Sequence, residues 1–313
     1  MGMSDLYGPT DRAESIATIQ AAVDAGVTLI DTGDFYGMGH NELLIAEALR
    51  DRPRDSVQIS VKFGVLRGPD GSWIGVDGRP AAVKTALAYT LKRLETDYVD
   101  IYRLARLDAH VPIEDTVGAI AEMVQAGFVR YVGLSEVGPD TIRRAAAVTP
   151  ICDLQIEYSL ISRGIEATIL PTVRQLGIGV TAYGVLSRGL ISGHWVEPAG
   201  GARDFRTHAP RFQAGNVEKN LALVEALRQV ASNLGATVAQ IAIAWVLSKG
   251  ENIVPLVGAR RRNRLAESLG AVDLQLSADD LASIEAAVPA QAVAGTRYAA
   301  QQLAHLDSEK PVP

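Results

Sequence analysis

Apolar positions in this chain recur with two alternating periods. Over 11–25, Ile16, Ile19 and Val23 fall on one helical face and Gly26 follows as a stop, so a helix is predicted there. The apolar run 27–31 comes next and reads as a strand. The rhythm repeats with helix 41–49, strand 57–62, helix 80–94, strand 98–104, helix 112–126 and strand 129–135. Helix 139–148, strand 151–157, helix 165–176 and strand 179–183 continue it. An irregular segment over 187–216 then interrupts, before helices 217–234 and 238–248, strand 253–257, and helices 262–269 and 278–287. The Gly-rich stretch 64–78, which carries Trp73, is expected to be a loop, and the polar, Ala-rich tail after Val293 to pack weakly.

Seven strands, nearly all separated by a helix, follow the order that parallel right-handed crossovers require, so the class is α/β. Seven is one short of a closed barrel. The missing strand would precede helix 11–25, where Met1-Gly2-Met3-Ser4 stand. Either these residues end a strand cut short where the chain starts, or the sheet is open at one side. No linker or low-complexity block divides 1–313, so a single domain is expected, and that length suits one α/β barrel.

Composition sharpens the picture. Hydrophobic residues make up 48% of the chain and aromatics only 5%, so the core must be mostly Ala, Val, Leu and Ile, as helices around a parallel sheet demand. A net charge of -6 argues against nucleic acid or an anionic membrane surface as the main partner. The lone Cys152 excludes an internal disulfide and a cysteine metal cluster, and the histidines show no metal-ligand spacing, so no metal site is expected. No run of eighteen apolar residues and no basic-then-apolar leader occurs, so a soluble protein of a reducing cytoplasm is expected. Oligomeric state is not legible.

Chemistry concentrates over 30–62. Asp31 and Tyr36 follow one apolar run, and Lys62 closes the next, so parallel strands bring them to the same strand ends, where such sheets place their reactive groups. A phenol is a poor acid, with a reference pKa of about 10, but a neighbouring ammonium favours its ionised form. Lys62 is expected to supply that charge and Asp31 to hold Lys62, which makes a general acid for a carbonyl oxygen. Asp at a strand end and Tyr in a turn are also ordinary structural residues, and spacing alone leaves both readings open.

These motifs resemble the aldo-keto reductase family. Asp31-Thr32-Gly33-Asp34-Phe35-Tyr36-Gly37 with His40-Asn41-Glu42 is similar to its Asp-Thr-Ala-x-x-Tyr-Gly segment, and Lys62 stands on the strand that carries the family's lysine. Further matches run through Gly133-Leu134-Ser135-Glu136, Gln155-Ile156-Glu157-Tyr158-Ser159, 183–189 and 255–260, in order along almost the whole chain. The resemblance implies a (β/α)8 TIM barrel with its first strand cut short, NADPH as cofactor, and reduction of a small carbonyl compound. It assigns Ser135 and Gln155 to the nicotinamide carboxamide, Tyr183 to stacking on the ring, and Leu186, Ser187, Arg188 and Gly189 to the pyrophosphate. Gly258 falls in the last matching strand-end motif, Arg260 and Arg264 are expected at the 2′-phosphate, and Glu267 and Ser268 near adenine. Glu136 stands where many relatives carry an amide and is expected to support the site from behind. The absence of Gly-x-Gly-x-x-Gly after a first strand speaks against a Rossmann dinucleotide site.

One departure matters. Relatives carry a histidine in a pattern like Tyr-x-x-His-Arg-x-Asp, whereas this chain reads Tyr102-Arg103-Leu104-Ala105-Arg106-Leu107-Asp108. Losing one such donor to the carbonyl oxygen costs roughly 3–4 kcal/mol of transition-state stabilisation, or ~10² to 10³ in rate. An engineered knockout, a branch with a different substrate, and a protein that binds nucleotide and barely turns over all remain open. Arg103 shares strand parity with Ala105 and is expected either to charge the pocket or to form a salt bridge inside the barrel. Trp73 either touches substrate or packs under its own loop, and His194, Trp195 and Phe205 help wall the pocket. Two functions follow: an NADPH-dependent aldehyde or ketone reductase with Tyr36 as acid, or a nucleotide-sensing or partner-binding protein of the same fold with little turnover.

Overall fold

The computed structural model describes residues 2–197 and 204–310, so 198–203 of the irregular segment lie outside the described residues. In chain order the elements are α1 (Arg12–Asp24), β1 (Leu29–Gly33), α2 (His40–Leu49), β2 (Gln58–Phe63), β3 (Val65–Arg67), β4 (Trp73–Val76) and α3 (Pro80–Leu94). They continue with β5 (Val99–Leu104), α4 (Ile113–Gln125), β6 (Val129–Ser135), α5 (Pro139–Val148), β7 (Ile151–Glu157), α6 (Ile169–Gln175) and β8 (Gly179–Tyr183). The last part holds α7 (Asn216–Asn233), α8 (Val238–Leu247), β9 (Ile253–Pro255), α9 (Arg262–Leu269), α10 (Ala278–Ala287) and α11 (Ala300–Ala304).

Seven strands pair in parallel in the order β1-β2-β5-β6-β7-β8-β9. This sheet is strongly curled. Gln155 on β7 donates to Asp31 on β1 at 2.7 Å although three strands stand between them, and a flat sheet with ~4.8 Å between strands would hold them ~19 Å apart. Residues 2–9 run as coil past both edge strands. The Ser4 hydroxyl meets His40 Nδ1 at 2.9 Å and Asn41 Nδ2 at 3.0 Å beyond β1, while the carbonyl of Tyr7 accepts from Arg260 at 2.9 Å beyond β9.

Strand register explains how the site is aimed. Asp31 pairs with Ser60, Lys62 with Arg103, Gly133 with Asp153, and Ser135 with Gln155. Since alternate residues point to opposite faces, this polar set shares the barrel interior. The intervening positions Ile59, Val61, Leu134, Leu154, Ile156 and Val180 are apolar and buried under the helices. Polar positions alternating with apolar ones along a strand buried on both sides thus mark a polar lumen.

Three expectations change. The stretch 64–78 is an antiparallel hairpin, β3 with β4, rather than a plain loop, and Gly71 at φ 81° turns its end. The helix over 165–176 divides into a 3-10 turn, Gly164–Glu166, and the shorter α6. The tail after Val293 does not pack weakly: Tyr298, Leu306 and Asp307 are buried, because the segment folds back across the strand ends of β6 and β8. No single helix among the described residues is long and apolar enough to cross a membrane.

Candidate active site

Asp31 and Lys62 form a charge pair inside the barrel, with side chains only 4% and 5% exposed. Asp31 also accepts from Ser60 Oγ at 2.9 Å and from Gln155 Nε2 at 2.7 Å, so its position is held from two other strands, β2 and β7. Burial alone would raise the Asp31 carboxyl, but the charges of Lys62 and Arg103 and these hydrogen bonds bring it below its ordinary value. Burial lowers the Lys62 ammonium, and the attraction of Asp31 restores only part of that.

Tyr36 lies over this pair, its ring centroid 5.2 Å from Lys62 Nζ. Phe35 packs edge-on against it at 4.8 Å, and Phe35, Tyr36, Val65 and Ala105 make a small apolar cluster apart from the main core. Burial, and after it the charge of Asp31, push the phenol well above its ordinary value, while Arg106 pulls it down. This differs from the expectation that Lys62 would lower it, because Asp31 cancels the Lys62 charge locally. The phenol is therefore held protonated at neutral pH, the state a proton donor needs.

Ala105 is 1% exposed, and its amide donates to the Phe63 carbonyl at 2.9 Å, which sets it beside the end of β2. Of the two readings of Arg103, the salt bridge inside the barrel is the one found: the side chain is fully buried and faces Asp153 at 3.0 Å. Gly133 makes room for that pair, since a Cβ there would come within 2.6 Å of Asp153 Oδ1 and 2.7 Å of Arg103 Nε. Trp73 is half exposed on β4, its ring 5.7 Å from Phe35 and capped by the Arg67 guanidinium at 4.8 Å, so it reaches Tyr36 only through Phe35. His194 bonds Glu267, Trp195 stacks on Phe212, and Phe205 meets Tyr298 edge-on.

Residues expected at a dinucleotide lie along the same strand ends. Ser135 Oγ, Ser187 Oγ and Arg188 Nη1 are buried without hydrogen-bond partners among the described residues, as are a few atoms elsewhere, such as Thr90 Oγ1 and Ser159 Oγ. Ser187, Arg188 and Gly189 carry successive positive φ angles of 44°, 56° and 95°, a rare run closed by the Ser187 and Gly189 amides, which donate to the Gly184 and Leu186 carbonyls, and Leu186 packs on the core beside them. Gly258 faces open space. Arg260 donates to the Tyr7 carbonyl, and Arg264 bonds Glu267 at 3.0 Å. Ser268 Oγ donates to the Arg264 carbonyl at 2.9 Å. The first turn of α9 is partly satisfied already, because Glu14 of α1 accepts from the Arg262 amide at 2.9 Å.

Sequence reasoning missed the residues that the tail contributes. Arg297 grips Glu136 bidentately, Ser308 Oγ adds a bond at 2.7 Å, and the Tyr183 hydroxyl donates to the same carboxylate at 2.7 Å. Tyr298 meets the Tyr183 hydroxyl at 2.9 Å. Glu136, at φ 53°, thus supports Tyr183 and also fastens the tail. The only local signal is an Arg-Tyr pair, Arg297-Tyr298, standing in an otherwise Ala-rich stretch.

The profile described as the Aldo/keto reductase family matches residues 1–289. Over 302 residues the chain is 43% identical to a protein named Probable aldo-keto reductase 1 from Glycine max, covering 95% of this chain and 86% of that one. A glycerol dehydrogenase from Gluconobacter oxydans superposes with a TM-score of 0.82 at 26% identity, covering 99% of this chain and 90% of that one. An aldo/keto reductase from Klebsiella pneumoniae, solved in complex with NADP and acetate, gives a TM-score of 0.70 at 27% identity over 89% of this chain and 86% of that one. These neighbours are (β/α)8 barrels, and the curled seven-stranded sheet belongs to that architecture.

Proposed function

Because the chain belongs to the aldo/keto reductase family, we propose that it reduces a small aldehyde or ketone to the alcohol with NADPH, using Tyr36 as the proton donor. The observation that carries this reading is the placement of a protonated, buried Tyr36 over the closed Asp31–Lys62 pair. The residues present fit a dinucleotide. Unsatisfied donors at Ser135, Ser187 and Arg188 await acceptors, and the mouth holds three guanidinium groups, Arg188, Arg211 and Arg297, around two carboxylates, Glu136 and Glu157. That surplus of positive charge suits a pyrophosphate.

When bound, the reduced nicotinamide supplies hydride to the carbonyl carbon. Tyr36 gives its hydroxyl proton to the carbonyl oxygen and is reprotonated from solvent; Arg106, whose charge pulls the phenol down, stabilises the phenolate in between. Tyr183, its hydroxyl fixed by Glu136, presents its ring for stacking. Ser135 bonds the carboxamide, and Gln155 serves it and Asp31 together. Arg260 and Arg264 contact the 2′-phosphate with the N–H groups left over from their present bonds, with Glu267 and Ser268 near adenine.

Ala105 favours a second reading, a nucleotide-binding protein with little turnover, because it offers a methyl group where a donor to the carbonyl would stand. Product analysis separates the two. With NADPH deuterated at the transferable position of C4 and a panel of aldehydes and ketones, the reductase reading expects deuterium on the carbinol carbon of the product. NADPH binding without any labelled alcohol would support the second reading.

A further inference from the structure

Positive charge at the barrel mouth is only partly matched by the protein's own carboxylates. Arg188 lies 3.3 Å and Arg211 3.6 Å from Glu157, and Arg297 occupies both oxygens of Glu136. Arg106 is left without an ion pair among the described residues. Its Nη1 donates to the Ala105 carbonyl at 2.6 Å and its Nη2 to the Tyr298 hydroxyl at 3.4 Å, both neutral acceptors. Glu136, the carboxylate acting on it most, is already taken by Arg297. A guanidinium withdrawn from bulk water without a counter-charge is costly, and an anion that completes it recovers that cost.

Its location says where that anion sits. Arg106 follows Ala105, whose side chain packs in one cluster with Tyr36, and the charge of Arg106 is felt at both Tyr36 and Lys62. It is half-buried, and its Nη2 meets the Tyr298 hydroxyl, which in turn meets that of Tyr183, so the guanidinium lies at the strand ends beside the acid. Below it the charges balance, with Asp31 against Lys62 and Asp153 against Arg103. One positive charge therefore remains on the substrate side, which matches a monoanion.

We propose that Arg106 anchors a carboxylate carried by the substrate, so that the compound reduced at Tyr36 is an oxo acid or a carboxylated aldehyde. This rests on the carbonyl-reductase reading and adds the substrate class to it. The planar fork of the guanidinium fits a carboxylate in two parallel hydrogen bonds, and lysine does not reproduce that geometry. Tyr298, which bonds Arg106 and Tyr183, holds the fork in place from the tail.

The test compares pyruvate, 4-oxobutanoate and 4-formylbenzoate with their methyl esters in the wild type, Arg106→Met and Arg106→Lys. In the wild type at least one acid should exceed its ester in kcat/KM by ~10- to 100-fold, mostly through KM. Arg106→Met should bring that ratio close to one, and Arg106→Lys should keep part of it. Esters used as well as every acid by the wild type would overturn the proposal. So would a loss in Arg106→Met that falls equally on acid and ester. Should no carbonyl be reduced at all, calorimetric binding of 4-(hydroxymethyl)benzoate against its methyl ester decides separately. A preference for the acid that Arg106→Met abolishes upholds the carboxylate site without the reductase reading, and equal binding of both ends it.

Discussion

Arg297 holds Glu136 with both terminal guanidinium nitrogens, at 2.8 and 2.7 Å, and this pair fastens the C-terminal segment to the end of β6. Glu136 is fully buried, so removing its ion-pair partner leaves a buried carboxylate held by the Tyr183 and Ser308 hydroxyls and the charge of Arg106. Arg297→Met is expected to destabilise the fold by roughly 3 kcal/mol, read from urea unfolding at neutral pH. The same pair sets an acid limit. Burial would raise the Glu136 carboxyl, but Arg297 and then Arg106 hold it down to about 2. A depressed folded-state pKa stabilises above the unfolded value of about 4.3 and is lost as pH falls through the folded one. Wild-type stability should therefore decline from about pH 4.3 towards pH 2, and Glu136→Gln should lack that component.

Asp34 behaves in the opposite sense. Burial, and next the charge of Glu42, push its carboxyl up to about 7, and its Oδ1 has no partner among the described residues. The folded chain thus binds a proton that the unfolded chain releases near pH 4, so stability falls between about pH 4 and pH 7. Asp34→Asn should raise the melting temperature at pH 8, by up to about 4 kcal/mol of stability, and leave it nearly unchanged at pH 4. An equal effect at both pH values would refute the assignment.

Ala105 tests whether the site is adapted to its missing donor. Ala105 is 1% exposed and clusters with Phe35, Tyr36 and Val65, so an imidazole there has to be packed against these apolar side chains. Ala105→His is expected to lower stability by roughly 1–3 kcal/mol and to leave kcat without a gain. A rise near two orders of magnitude in kcat would instead mean that a crippled site had been repaired.

Arg260 and Arg264 bear on the choice of cofactor. Replacing both by alanine should weaken NADPH binding, measured by fluorescence titration, by ~10-fold or more while NADH changes little. Equal losses for the two nucleotides would remove these residues from the 2′-phosphate.

Legibility in the sequence follows the range of the interactions. Helices and strands were readable because their periods are local, and Asp31 and Lys62 were readable because polar residues at strand ends interrupt apolar runs. The hairpin β3–β4 was hidden, since Leu66 and Ile74 stand exposed and give no core-facing alternation. The tail was read as weakly packed because Arg297 finds Glu136 across 161 residues and Tyr298 finds Tyr183 across 115. Arg106 looked unremarkable beside Ala105 for the same reason: its isolation as a charge is a fact about partners elsewhere. The Tyr36 phenol was expected low and is held high, because burial outweighs a lysine whose charge Asp31 already cancels.

Carbonyl reduction by Tyr36 over the Asp31–Lys62 pair is the central claim, and one comparison tests it most directly. NADPH oxidation with aldehydes and ketones should be followed in the wild type and in Tyr36→Phe, with NADPH affinity measured in both. The account predicts turnover by the wild type, equal NADPH binding, and a loss of ~10²- to 10⁴-fold in kcat for Tyr36→Phe. Tight NADPH binding by a wild type that reduces nothing, or a Tyr36→Phe variant as active as the wild type, would contradict it.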